Sequence, residues 1–110
     1  MPTEATAQVI AVYMTFPNEQ VAGEVSRALV ERRLAACVNV SAAGTSFYRW
    51  EGEVRTESEV LAWAKTSRER LPELVAAVEE LHPYDVPAVV AYPATSGLAA
   101  YLGWVVEETS

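Results

Sequence analysis

The chain has 110 residues, the size of a single domain, and about half of them are hydrophobic, enough for a modest core. Fifteen acidic side chains against eight basic leave a formal charge of −7, which argues against a nucleic-acid footprint and against an anionic membrane surface. The lone Cys37 rules out an intrachain disulfide, the opening MPTEATAQ has no apolar signal core, and no apolar run approaches the roughly 20 residues of a membrane span, so a cytoplasmic protein is expected.

Residues 1–7 read as a loose tail and 8–110 as one domain. Gln8 to Thr15 (QVIAVYMT) is apolar at nearly every position, as in a strand buried on both faces. Phe16-Pro17-Asn18 breaks it, and Pro17 suits the first turn of a helix. Val21, Val25, Ala28 and Leu29 then recur at helical spacing, with Glu24, Arg27 and Glu31 on the other side, so this helix should run to about Arg33.

From Ala36 to Lys65 the pattern changes to two long β-rich arms joined at Glu51-Gly52, with Gly at the second turn position. Pairing outward from the turn sets Trp50 opposite Glu53 and Tyr48 opposite Arg55. The same register brings Val40 opposite Trp63, unless the small residues Ala42-Ala43-Gly44 form a bulge. Arms of about 14 residues at roughly 3.3 Å each reach roughly 45 Å. A compact domain of this length has a radius of gyration of only about 13 Å, so the ribbon should project. Its end is apolar on both faces, with Tyr48 and Trp50 on one and Phe47 and Val54 on the other. An isolated ribbon of that kind is unstable and sticky, so other copies of the chain are expected to cover it.

Thr66-Ser67-Arg68-Glu69 resembles a capping box with Thr66 as cap, although Pro72 also allows the regular helix to begin near Arg70. Leu71, Leu74, Val75, Val78 and Leu81 form its apolar stripe, and Pro83 ends it. Val86 to Thr95 reads as a strand that Pro87 and Pro93 confine to a sheet edge. Leu98, Tyr101, Leu102 and Val105 suggest a short terminal helix ending near Glu108. The order β-α-β-β-α-β plus a terminal helix is the split β-α-β, ferredoxin-like arrangement of the α+β class. Right-handed crossovers place both main helices on one face of a four-stranded antiparallel sheet. The other face stays bare in a monomer, a second reason to expect an oligomer.

The strings ALVERRLAACVNV (28–40), TSFYRWEGEV (45–54), KT (65–66), ELHPYDVP (80–87) and YLGWV (101–105) stand in the order and spacing of the CutA divalent-cation-tolerance proteins. The chain resembles that family from about Val9 to Glu107. The resemblance implies a ferredoxin-like fold and a tight homotrimer in which extended hairpins pair edge to edge. It also implies a non-enzymatic role in binding divalent metal ions, copper foremost, and in metal tolerance. In some members a Cys at the end of the first strand and a His-His pair just before Pro-Tyr serve as copper ligands. Here those positions hold Met14 and Leu81-His82. A thioether binds Cu(I) but is a weak ligand for Cu(II) or Zn(II).

The metal candidates are therefore His82, Met14 and Cys37. His82, the only imidazole, is either a borderline ligand or a helix-end residue meeting a free carbonyl. Cys37 is either a soft ligand or a small buried hydrophobe. Glu51, Glu53, Glu57 and Glu59 either meet a hard cation between subunits or form a charged edge. Tyr48, Trp50, Trp63, Tyr84 and Trp104 line an intersubunit pocket or simply pack an interface. No Ser-His-Asp set, CxxC, HExxH or P-loop points to an enzyme, and no organic cofactor is expected. The alternative is a trimeric signalling module like the PII proteins, with a small effector in a cleft between subunits lined by Tyr84, Trp50 and Lys65.

Overall fold

In the computed structural model, which describes residues 8–110, the first apolar run forms strand β1 (Val9–Phe16). The expected tail, residues 1–7, lies outside the described residues. Helix α1 (Glu19–Glu31) follows, and strands β2 (Cys37–Trp50) and β3 (Glu53–Ser67) make the hairpin. A single 3-10 turn (Arg68–Arg70) leads into α2 (Leu71–Leu81), and β4 (Val89–Pro93) and α3 (Ala99–Glu108) complete the described chain. The strands form one antiparallel sheet in the order β2-β3-β1-β4, the ferredoxin-like arrangement.

Strand parity divides the sheet into two faces. Ile10, Val12, Met14 and Phe16 pair with Thr66, Ala64, Ala62 and Val60, and all eight are buried. Above them lie Ala22, Val25 and Leu29 of α1 and Leu74, Ala77 and Val78 of α2. Each fully buried large side chain here contributes about 1.5–3 kcal/mol. The opposite parity starts at Val9, which packs with Ala36, Leu102 and Val105, so α3 covers one corner of the second face. Beyond that corner the second face is open, with Leu61, Trp63, Val90 and Tyr92 all exposed to solvent.

The hairpin turns through Glu51 (φ 52°) and Gly52 (φ 81°), the two positive φ values of a type I′ turn. Trp50 pairs with Glu53 and Tyr48 with Arg55. A bulge resets the register: Val40 lies opposite Ala62, not Trp63, and Ala43 opposite Val60. Ser41 and Ala42 thus share Leu61, whose N–H donates to Ser41 Oγ at 3.0 Å. The fold measures 49 Å along its longest axis against 25 and 23 Å across it, as a projecting ribbon requires.

Three local expectations are corrected. Asn18, not Pro17, starts α1: its side chain accepts the Val21 N–H at 2.8 Å, which leaves the proline just outside the helix. Thr66 caps nothing. It belongs to β3 opposite Ile10, fully buried, and its hydroxyl donates to the Leu34 carbonyl at 2.6 Å. The helix starts at Leu71, with Pro72 in its first turn, where a missing N–H is harmless. The last strand is also shorter than expected, because residues 82–88 are irregular and only Val89–Pro93 pair with β1 at the sheet edge.

Candidate functional site

The projecting ribbon and the 82–88 connection enclose a cleft of about 670 Å³. Tyr48 and Trp50 of β2 alternate with outward residues, as do Arg55, Glu57 and Glu59 of β3. Cross-strand pairing of Tyr48 with Arg55 and of Ser46 with Glu57 puts them all on one ribbon face. Tyr84 and Asp85 form the opposing wall. Sequence reasoning singled out the aromatic and glutamate positions but missed Asp85, whose only signal is its place in HPYDVP.

The cleft is electronegative. Arg55 lies 4.0 Å from Glu51 and 3.7 Å from Glu53, weak exposed pairs, and its Nε is buried without a hydrogen-bond partner among the described residues. Glu57 and Glu59 have no ion pair among the described residues. Their field reaches Tyr84, whose phenol is pushed above its ordinary value by partial burial first, then by Glu59 and Glu57, then by Tyr48.

His82 supports this cleft without lining it. It caps the end of α2 and is buried, stacked on Phe16 with ring centroids 5.0 Å apart and tilted against Tyr84 at 4.8 Å. Its Nδ1 accepts the Tyr84 N–H at 3.1 Å, and its Nε2 lies 2.7 Å from the Thr15 carbonyl. A carbonyl only accepts, so Nε2 carries the proton and donates. Both ring nitrogens are therefore engaged inside the protein. The imidazole ties the 82–88 connection to β1.

The structure does not bring the three metal candidates together. Met14 is fully buried on the helix-covered face. Cys37 is half-buried on the opposite, open face, in register with Lys65. There its Sγ lies 3.3 Å from the Tyr101 hydroxyl, a contact that, with burial, pushes the phenol up to about 12. Among the described residues no three His, Cys, Asp or Glu side chains converge as a metal ion requires.

The remaining candidates also divide between two places. Tyr48, Trp50 and Tyr84 line the cleft. Trp63, Lys65 and Trp104 do not. Trp63 stands edge-on to Tyr13 at 5.3 Å and tilts against Tyr92 at 5.8 Å on the open sheet face. Lys65 lies on that face too, donating to the Asn39 side chain, and Trp104 pairs with Tyr101 at 5.7 Å. Two separate ring groups result, Tyr13–Trp63–Tyr92 on the open sheet face and Tyr101–Trp104 on α3.

Residues 10–108 match the family model described as CutA1 divalent ion tolerance protein. The chain belongs to the CutA1 family. The divalent-cation tolerance protein CutA of Thermus thermophilus is 48% identical over 98 residues, 89% of this chain and 95% of that one. Protein CutA of Mus musculus is 46% identical over 101 residues, 92% of this chain but only 57% of the mouse protein, so the CutA1 unit here spans little more than half of that relative. A solved structure of the Thermus thermophilus Cut A1 protein aligns with a TM-score of 0.91 at 46% identity, covering 93% of this chain and 99% of that one. In this CutA1 chain no helix among the described residues is long and apolar enough to cross a membrane.

Proposed function

We propose that this CutA1 chain is a cytoplasmic, non-enzymatic homotrimer that binds divalent metal ions, copper foremost, and contributes to divalent-cation tolerance. The observation that carries the metal reading is the pair of carboxylates, Glu57 and Glu59, which have no ion pair among the described residues and share one face of β3 in the cleft. For a given donor set copper heads the divalent series. The engaged nitrogens of His82 and the burial of Met14 turn attention from these side chains to the cleft. Cys37 is the soft donor of the original three that is partly exposed.

Two features support self-assembly. Phe47 and Val54 near the ribbon tip are 73% and 67% exposed, more apolar surface than an isolated ribbon tolerates. The open face adds the exposed rings of Trp63, Tyr92, Tyr101 and Trp104. Sedimentation of dilute protein tests the assembly: a folded, soluble species of 12.0 kDa would refute it. Calorimetric titration with Cu(II) tests the metal reading. Saturable binding that weakens in the doubly neutralised Glu57→Gln/Glu59→Gln protein supports it, and absence of heat overturns it.

A second reading is a PII-like trimer taking a small effector in clefts between subunits. The aromatic lining of the cleft by Tyr48, Trp50 and Tyr84 supports an organic effector over a bare metal ion, and Lys65 lies outside that lining.

A further inference from the structure

The two nitrogens of His82 are not equivalent. Nε2 donates to the Thr15 carbonyl at 2.7 Å, and Nδ1 accepts the Tyr84 N–H at 3.1 Å. Only a neutral imidazole does both. This is also the side chain type that changes charge between about pH 5 and 8, and a second proton on the ring has one place to go, the Nδ1 lone pair. There it replaces an acceptor by a donor aimed at another donor. The Nε2–H keeps its carbonyl, and that bond strengthens because the ring is now charged. Protonation therefore breaks one anchor of the ring and tightens the other. The 82–88 connection that hangs on the broken anchor has no strand or helix of its own. The ring and the atoms it bonds belong to one chain, and the ring is buried within it, so the arrangement uses no surface that other copies would cover.

The surroundings let a charged ring stay in place. His82 caps the C-terminal end of α2, where the helix dipole favours a cation, and the ring faces of Phe16 and Tyr84 attract one. From β1 the ring meets Thr15 and Phe16, neither of them titratable. On its own helix Glu79 and Glu80 are exposed, and Glu80 is paired with Arg32 at 3.7 Å. On the connection stand the exposed Asp85 and the Tyr84 phenol, which burial, Glu59 and Glu57 hold above its ordinary value and hence protonated throughout this range. His82 has no ion pair among the described residues, so no carboxylate holds the ring in its present hydrogen bonding once it is charged. We propose that His82 is a pH-sensitive latch on the 82–88 connection. In the neutral state Nδ1 holds the Tyr84 N–H. In the protonated state the ring keeps the Thr15 carbonyl and releases Tyr84, and the connection loosens while the sheet stays folded.

Nuclear magnetic resonance of the full chain as purified, with its nitrogens isotopically labelled, tests the latch between about pH 8 and pH 5. A neutral imidazole gives one bare and one protonated nitrogen signal, and the cation gives two alike. At the upper end the bare signal is expected for Nδ1. As the ring charges, exchange protection of the Tyr84 amide, corrected for its intrinsic rate, is expected to fall about tenfold or more in step with the nitrogen signals. Amides in the paired strands β1 and β3 are expected to keep their protection. His82→Phe has no acceptor for Tyr84, so its Tyr84 amide should be equally unprotected at both ends of the range. If that variant does not fold, the wild-type titration decides alone. Three results each overturn the latch: a ring that stays neutral down to about pH 5, a charged ring with Tyr84 still protected, and protection lost from β1 and β3 together with Tyr84.

Discussion

Replacing His82 by alanine separates a structural ring from a metal ligand. The change removes the Nε2–H donor from the Thr15 carbonyl at 2.7 Å and the Nδ1 acceptor from the Tyr84 N–H at 3.1 Å. Leaving a buried carbonyl without this partner costs about 1–3 kcal/mol. The vacated ring space, bounded by Phe16 and Tyr84, adds a cavity penalty of the kind that makes buried large-to-alanine changes cost about 2–5 kcal/mol. The two effects overlap at one site, so the expected total is about 3–5 kcal/mol. It should be read from urea midpoints at fixed protein concentration, because assembly makes apparent stability concentration-dependent. His82→Phe retains the stack on Phe16 and loses only the hydrogen bonds, so about 1–3 kcal/mol is expected. Copper affinity should survive in His82→Phe. A loss under about 1 kcal/mol in His82→Ala would refute the pinning role. A folded His82→Phe protein that no longer binds copper would show that the imidazole leaves its internal partners for the metal.

Three further outcomes follow from single sites. Glu51 holds a positive φ that asparagine adopts more readily, so Glu51→Asn should stabilise by about 0.5–1 kcal/mol in thermal unfolding, the weak surface pair with Arg55 being worth little. Thr66→Val keeps the shape of a fully buried strand residue but strands the Leu34 carbonyl, and a loss of about 1–3 kcal/mol in the urea midpoint is expected. Tyr101 has a folded-state pKa of about 12 against an ordinary 10.0, so the folded chain keeps this proton after the unfolded chain has lost it. Its contribution is whole below pH 10.0 and is lost as pH rises toward about 12, so Tyr101→Phe should flatten the alkaline decline in urea midpoint, with Tyr84 supplying part of the remaining slope.

Long strands and their turn were legible because side-chain alternation repeats many times and a one-residue slip would invert both faces. The pairs Trp50–Glu53 and Tyr48–Arg55 follow from the position of Gly52 alone. The bulge was legible as a place and not as a register, because small residues permit it while the Ser41 hydroxyl, bonded to the Leu61 N–H, helps fix it. Thr66 misled for a physical reason. The string from Thr66 to Glu69 satisfies the local rule for a cap, but pairing with Ile10 extends β3 through it, and the same hydroxyl is spent on Leu34.

The site was less legible than the fold, and Lys65 shows why. It shares the parity of Glu57 and Glu59 on β3, so pattern alone allows all three in one pocket. Six positions separate Lys65 from Glu59, however, about 20 Å of extended strand. The glutamates lie on the free ribbon and Lys65 lies inside the four-stranded sheet, opposite Ala11 and beside Asn39. Only the path of residues 82–88 decides which part of that long face acquires a second wall. That path is set by one buried imidazole, whose neighbours Thr15 and Phe16 are far from it in sequence. Charge near the ribbon and the one histidine were both visible from the start. Their places differ because the histidine's nitrogens are consumed in shaping the cleft, whereas the carboxylates and rings of the ribbon are the groups that the cleft exposes.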